Sequence, residues 1–317
     1  MEPMRRTASL LALLAFLATP TLALAHGADA PAPSFPGVLL AWRFDPLAIG
    51  MLVITAAAWT WAVRRVNRAH PANHHPARRS WFFHGGLAAI GVALLSPIEA
   101  YEGLLFSVHM VQHMILMLVA APLLLAAAPI TLALRAASPS VRKGLLRLLQ
   151  SRVVHVISFP VVAWILFAAV NWGWHFSVLY DDALENQALH YFQHATFLGA
   201  ALLFWWPVIG ADPSPWRMPH PVRVLYLFLA MPQNSFLGVA LLSAPTVLYP
   251  HYVTNARAWG LSPLDDQRLG GVLMWTVGDL AFLIGMMLVV VLWMRHEDRR
   301  TVHLDRRLAA ERADRRE

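Results

Sequence analysis

SVHMVQHMILM (residues 107–117) opens an apolar run that continues as LVAAPLLLAAAP to residue 129. A helix of ~20 apolar residues crosses the ~30 Å hydrocarbon layer of a bilayer, so this run reads as a membrane span. Yet two histidines, His109 and His113, and three methionines, Met110, Met114 and Met117, stand in it where leucine or valine would serve lipid better. A charged side chain at mid-depth costs about 2.5–3.5 kcal/mol on insertion scales, which makes such residues functional candidates by default. His109 and His113 are separated by four positions and share one helix face.

The rest of the chain fits the membrane reading. Of 317 residues, 58% are hydrophobic and 14% charged, against about 25% charged in soluble domains. The expected fold class is therefore all-α: a polytopic membrane helical bundle embedded in a lipid bilayer. The net charge of +7 is assigned to cytoplasmic loops, not to nucleic-acid binding. Cysteine is absent, which removes disulfides and thiolate metal sites and leaves His, Met, Asp and Glu as side-chain ligands.

Residues 1–25 resemble a secretory signal peptide, with Arg5 and Arg6 ahead of an apolar stretch and Ala23-Leu24-Ala25 as the cleavage site. Cleavage would make His26 the mature terminus, where amine and imidazole form a chelating pair. Residues 26–45 form a periplasmic segment, 46–294 a seven-helix transmembrane domain, and 295–317 a cytoplasmic basic tail expected as a frayed helix. The seven spans are read at 46–63, 81–98, 104–128, 153–173, 187–208, 222–243 and 269–294. Alternate links are basic, beginning with RRVNRAHPANHHPARR (residues 64–79), while the intervening ones carry Glu99 and Glu102, then Asp181, Asp182 and Glu185. The positive-inside rule then puts the mature N-terminus outside and the C-terminus in the cytoplasm. SPSVRKGLLRLLQS (residues 138–151) reads as a basic amphipathic helix on the inner surface. His70, His74 and His75 are assigned to a solvated loop, and Trp172, Trp174, Trp205 and Trp206 to an interfacial belt.

Within this topology His109 and His113 lie in the outer half of the third span. The fifth span repeats the pattern as HYFQH, with His190 and His194, and His175 closes the fourth in NWGWHF. Met117 continues the first stripe, Met110 flanks it, and Met274 and Asp279 lie in the seventh span. The bland alternatives are interhelical hydrogen bonds for the histidines and core filling for the methionines. Two pairs on one side of the membrane favour a shared metal site built from His109, His113, His190, His194 and His175, with Met274, Asp279, Met110 and Met117 as further candidates. Imidazole suits several metals and thioether selects Cu(I), so the expected ion is copper, Cu(I) in preference.

SVHMVQHMILMLVAAPLLLAAAP resembles the signature of the multi-spanning CtaG proteins, assembly factors for caa3-type cytochrome c oxidase. WHFSVLYDDALENQALHYFQHATFLGAALLFWWPVIG (residues 174–210) and LSPLDDQRLGGVLMW (residues 261–275) are similar to that family's next blocks. The likeness covers about residues 80–294, and Asp279 departs from it by placing a carboxylate where a small residue is expected. The resemblance implies a non-enzymatic role in oxidase maturation, linked to copper delivery, with oxidase subunits as partners. The residues matched by position are His109, His113, His175, His190, His194, Asp266, Gln267, Met274 and Trp275.

Two alternatives start from the same residues. Histidines of the third and fifth spans are the ligand type of a bis-histidine haem protein. Pro232-Gln233-Asn234 with Asp279 is the composition of a broken-helix site in a metal transporter. An intramembrane zinc hydrolase is disfavoured, since H-E-x-x-H does not occur. The location expected is a bacterial-type plasma membrane, multi-pass. Reporter fusions at Ala72 and Leu145 should read cytoplasmic and one at Asp182 periplasmic; the opposite pattern would put the histidines on the cytoplasmic side.

Overall fold

Asp45 starts the membrane part of the chain. Its carboxylate accepts from the amides of Leu47 at 2.8 Å and Ala48 at 3.1 Å, with Pro46 in the first helical position, where no N–H is needed. The helix it caps, α1, runs Pro46–Ala69. The computed structural model describes residue 34, residues 37–255 and residues 259–314, with side chains to Thr301; the expected signal peptide and His26 lie outside the described residues. The longer helices that follow are α2 (Ala77–Leu95), α3 (Phe106–Ala136), α4 (Pro139–Leu149), α5 (Pro160–His175), α6 (Leu179–Glu185), α7 (Gln187–Ile209), α8 (His220–Leu242) and α9 (Pro263–Asp314). No strand occurs among the described residues. Among the described residues six helices are long and apolar enough to cross a membrane, and seven spans result if α5 and α6, bent by 70°, count as one. The chain is an all-α, multi-pass membrane bundle.

Three sequence expectations are corrected. The fourth span does not start at residue 153: a short turn at Arg152–Ile157 ends before α5 begins at Pro160. Pro160 has no N–H to continue a helix and keeps Phe159 extended, at ψ 127°. Three of the four tryptophans assigned to an interfacial belt, Trp174, Trp205 and Trp206, are buried in the bundle instead, while Trp172 is half-buried. His75 is not solvated. It packs edge-on against Trp59 at 5.4 Å, and burial, with Arg79 and Arg135 nearby, lowers its pKa. The basic helix at 138–151 forms as α4, and the span expected at 269–294 is part of the 52-residue α9.

Close helix contacts are made at glycine. A Cβ on Gly271 of α9 would stand 2.6 Å from the Gly238 carbonyl oxygen of α8, and one on Gly238 would stand 2.7 Å from that of Gly271. A Cβ on the neighbouring Gly270 would strike the Phe106 ring of α3 at 2.4 Å. RLGG thus presses α9 against two helices at once, the small-residue packing by which membrane helices approach. A larger core joins Phe167 of α5, Phe204 and Trp205 of α7, and Phe282 of α9.

The same contact fastens the start of α3. Leu105 is the N-cap residue and has no capping oxygen. Asp266, 160 positions away, supplies it: one carboxylate oxygen accepts from the Phe106 amide at 2.7 Å and the other from the Ser107 hydroxyl at 2.6 Å. Gln267 ties the following loop, accepting from the Leu248 amide at 2.7 Å. These two matched residues position α3 and α9; neither is a ligand candidate. Asp266→Ala should lower stability in detergent by about 2–4 kcal/mol, since two bonds to a charged acceptor are lost, and Ser107→Ala by less. Equal melting temperatures for Asp266→Ala and the parent would refute the clamp.

Candidate metal centre

His109 and His113 face the bundle interior from the first turns of α3, and His190 and His194 do so from α7. All four are buried. Their rings form a closed quadrilateral. Centroid separations are 4.3 Å for His109–His113, 5.5 Å for His113–His194, 4.2 Å for His194–His190 and 5.4 Å for His190–His109. The i,i+4 pairs on two facing helices are what bring them together.

Glu102 completes one end. It is fully buried, and it accepts from His109 Nδ1 at 2.7 Å while lying 3.9 Å from His190 Nε2. One ligand atom from each of Glu102, His109 and His190 lies within 4.8 Å of the others. Because Nδ1 of His109 donates to the carboxylate, its lone pair is on Nε2, which has no hydrogen-bond partner. A carboxylate orienting an imidazole in this way is the usual support for a metal ligand. The sequence reading treated Glu102 only as a charge of an outer link. It stands in the turn ahead of α3, which begins at Phe106, so no helical periodicity links it to His109 and only the folded turn brings them together.

At the other side of the quadrilateral, the Gln112 amide donates to the Ala93 carbonyl at 2.9 Å and to Glu99 at 2.5 Å. Its oxygen therefore accepts from His194 Nε2 at 3.1 Å, leaving Nδ1 as the lone-pair nitrogen of that ring. His113 stands between His109 and His194 with neither ring nitrogen hydrogen-bonded. A buried imidazole without partners is costly, and burial of this kind needs a specific explanation.

Toward the middle of the bundle His113 borders a cavity of about 20 Å³, which four methionines, Met110, Met114, Met117 and Met274, line together with His175. That is space for about one water-sized occupant. His175 donates from Nδ1 to the Asn171 carbonyl at 2.7 Å and turns Nε2 toward Met110 Sδ at 3.3 Å. Asp279 binds elsewhere: it accepts from Ser235 at 2.6 Å and Asn234 at 3.2 Å, joining α8 to α9. Asn234 lines the same cavity and donates to the Met274 carbonyl at 2.9 Å, so Asp279 stands one residue behind it. Trp275 is 40% exposed and takes no part. Helix α8 continues through Pro232, so the broken-helix arrangement of a transporter site is not formed there.

Two further features hold the site. Tyr180, Tyr249 and Tyr252 close it from the acidic links, with Tyr252 donating to the Glu102 carbonyl at 3.1 Å and Tyr249 to the His175 carbonyl at 3.0 Å. Directly after the histidines, Ile115–Ala120 winds as a π-helix, a distortion frequent at functional sites. In its register the next amide would reach the Met117 carbonyl, but residue 122 is proline and has none to offer. Trp205 Nε1 donates to that carbonyl instead, at 3.0 Å. Trp205→Phe should therefore cost about 1–3 kcal/mol by stranding a buried carbonyl. Trp206→Phe should cost less than half as much, because Trp206 Nε1 has no hydrogen bond to lose. Comparing the two melting temperatures checks this; equal losses would mean that ring packing alone matters.

A family model described as cytochrome c oxidase caa3 assembly factor matches residues 57–296. Relatives include proteins of Mycobacterium bovis and Mycobacterium tuberculosis, each 33% identical over 290 residues, and one of Mycobacterium leprae at 31%, all described as uncharacterized. The matches cover 89% of this chain and 44% of each relative, so the chain spans less than half the length of the proteins it matches. No solved structure matches.

Proposed function

The chain belongs to the cytochrome c oxidase caa3 assembly factor family, and from that premise we propose that it is a non-enzymatic assembly factor that holds copper, as cargo for the oxidase, on the outer side of the membrane. The observation that carries the copper reading is His113, buried with both ring nitrogens unbonded between two further imidazoles and a methionine-lined cavity. Nitrogen and thioether donors with no cysteine are a donor set for copper. A carrier must also release its ion, and neutral thioethers and imidazoles bind less firmly than thiolates would. The acidic links, nearest the site, are the outer ones by the positive-inside rule.

The dimensions favour an ion over haem. A ligand pocket for an organic group runs to about 300–1,000 Å³, whereas the space beside His113 is about 20 Å³ and the four rings are in near contact. The oxidase subunits that would receive the ion are partners by family membership.

The double variant His109→Ala/His113→Ala tests the reading. Alanine keeps the helix, and removing costly buried polar groups does not by itself unfold a membrane bundle. The variant should accumulate in membranes, lose bound copper and fail to support oxidase activity, with partial rescue by added copper. Full oxidase activity at normal protein level would overturn the proposal. Loss of the protein itself would mark the histidines as interhelical hydrogen-bond partners. A Soret band in the purified parent protein would instead indicate haem.

A further inference from the structure

The geometry points to two adjacent copper sites of opposite softness, one on each side of His113: a nitrogen and oxygen site at Glu102, His109 and His190 that takes Cu(II), and a thioether and imidazole site at Met110, His175 and Met274 that takes Cu(I). This inference rests on the copper reading above and adds to it the oxidation state held at each place.

The soft site is identified by a contact that places two donors together. His175 Nδ1 faces a carbonyl oxygen at 2.7 Å and must carry the proton there, since a carbonyl only accepts. The Nε2 lone pair then faces the Met110 sulfur at 3.3 Å, and a thioether has no hydrogen to place between them. The nitrogen and the sulfur are thus two soft donors side by side with no hydrogen between them, and a soft cation can bridge them. With bonds of about 2.0 Å to nitrogen and about 2.3 Å to sulfur, typical of such ligands, the 3.3 Å separation corresponds to an angle of roughly 100° at the ion, near tetrahedral. Met274 and Met114 line the same cavity and can supply further sulfur donors. Thioethers select Cu(I).

The hard site has a different donor set. Glu102, His109 and His190 offer one oxygen and two nitrogens within 4.8 Å of one another. Carboxylate and imidazole favour Cu(II) in a tetragonal field. His113 belongs to both neighbourhoods: its ring is 4.3 Å from that of His109, and it lines the methionine cavity.

The test uses the purified full-length protein in detergent, with Cu(I) measured anaerobically against a chromogenic chelator and Cu(II) followed by paramagnetic resonance. In Met110→Leu/Met274→Leu, which approximately conserves volume, Cu(I) affinity should fall at least about tenfold while the Cu(II) spectrum, with its nitrogen splitting, stays unchanged. In Glu102→Gln the pattern should reverse. X-ray absorption of the parent should give sulfur scattering for the Cu(I) form and only nitrogen and oxygen for the Cu(II) form. If Glu102→Gln fails to accumulate, His190→Gln takes its place. Parallel loss of both ions in each variant would mean one shared site and would overturn this inference while leaving copper carriage intact. Binding of neither ion by the parent would overturn both.

Discussion

In a bilayer no water is at hand for an unpaired backbone group, so each irregularity in a buried helix must be answered by another part of the protein. Helix α3 has three. It begins without a capping residue at Leu105, winds as a π-helix before Pro122, and breaks where Ala128 takes a left-handed conformation at φ 57° ahead of Pro129. Asp266 of α9 answers the first and Trp205 of α7 the second. Asp212 answers the third, accepting from the amides of Ile130 at 3.0 Å and Thr131 at 2.7 Å. The left-handed alanine costs about 1–2 kcal/mol, and the two charged-acceptor bonds that follow offset it. Helix α3 is thus held at its start, middle and far end by side chains from elsewhere.

That arrangement determines where the candidate ligands stand. His109 and His113 lie between the Asp266 clamp and the π-helix. Met117, four residues after His113, lines the cavity beside it. The close approach of α9 at Gly270 brings Met274, one helical turn on, into the same cavity. Stability devices and ligand placement are the same contacts.

The chemistry of the cluster is graded along the bundle. Carboxylate and imidazole meet at the end closed by the tyrosines, and imidazole gives way to thioether further in.

The spans and their order were legible in the sequence because an apolar run of about 20 residues has one reading in a membrane. The two histidine pairs were legible because i,i+4 spacing puts them on one face whatever the rest of the chain does. Only the tertiary structure decided that the two faces meet, that Glu102 turns inward beneath His109, and that His175 Nε2 faces Met110. It also decided that Asp266 and Gln267 are clamps, that Trp205 serves a carbonyl, and that Asp279 pairs with Ser235 and Asn234. The physical reason is range. Periodicity and hydropathy act over one or two helical turns, whereas these contacts join residues up to 160 positions apart and depend on helix packing, which glycines such as Gly238 and Gly271 permit but no local pattern specifies.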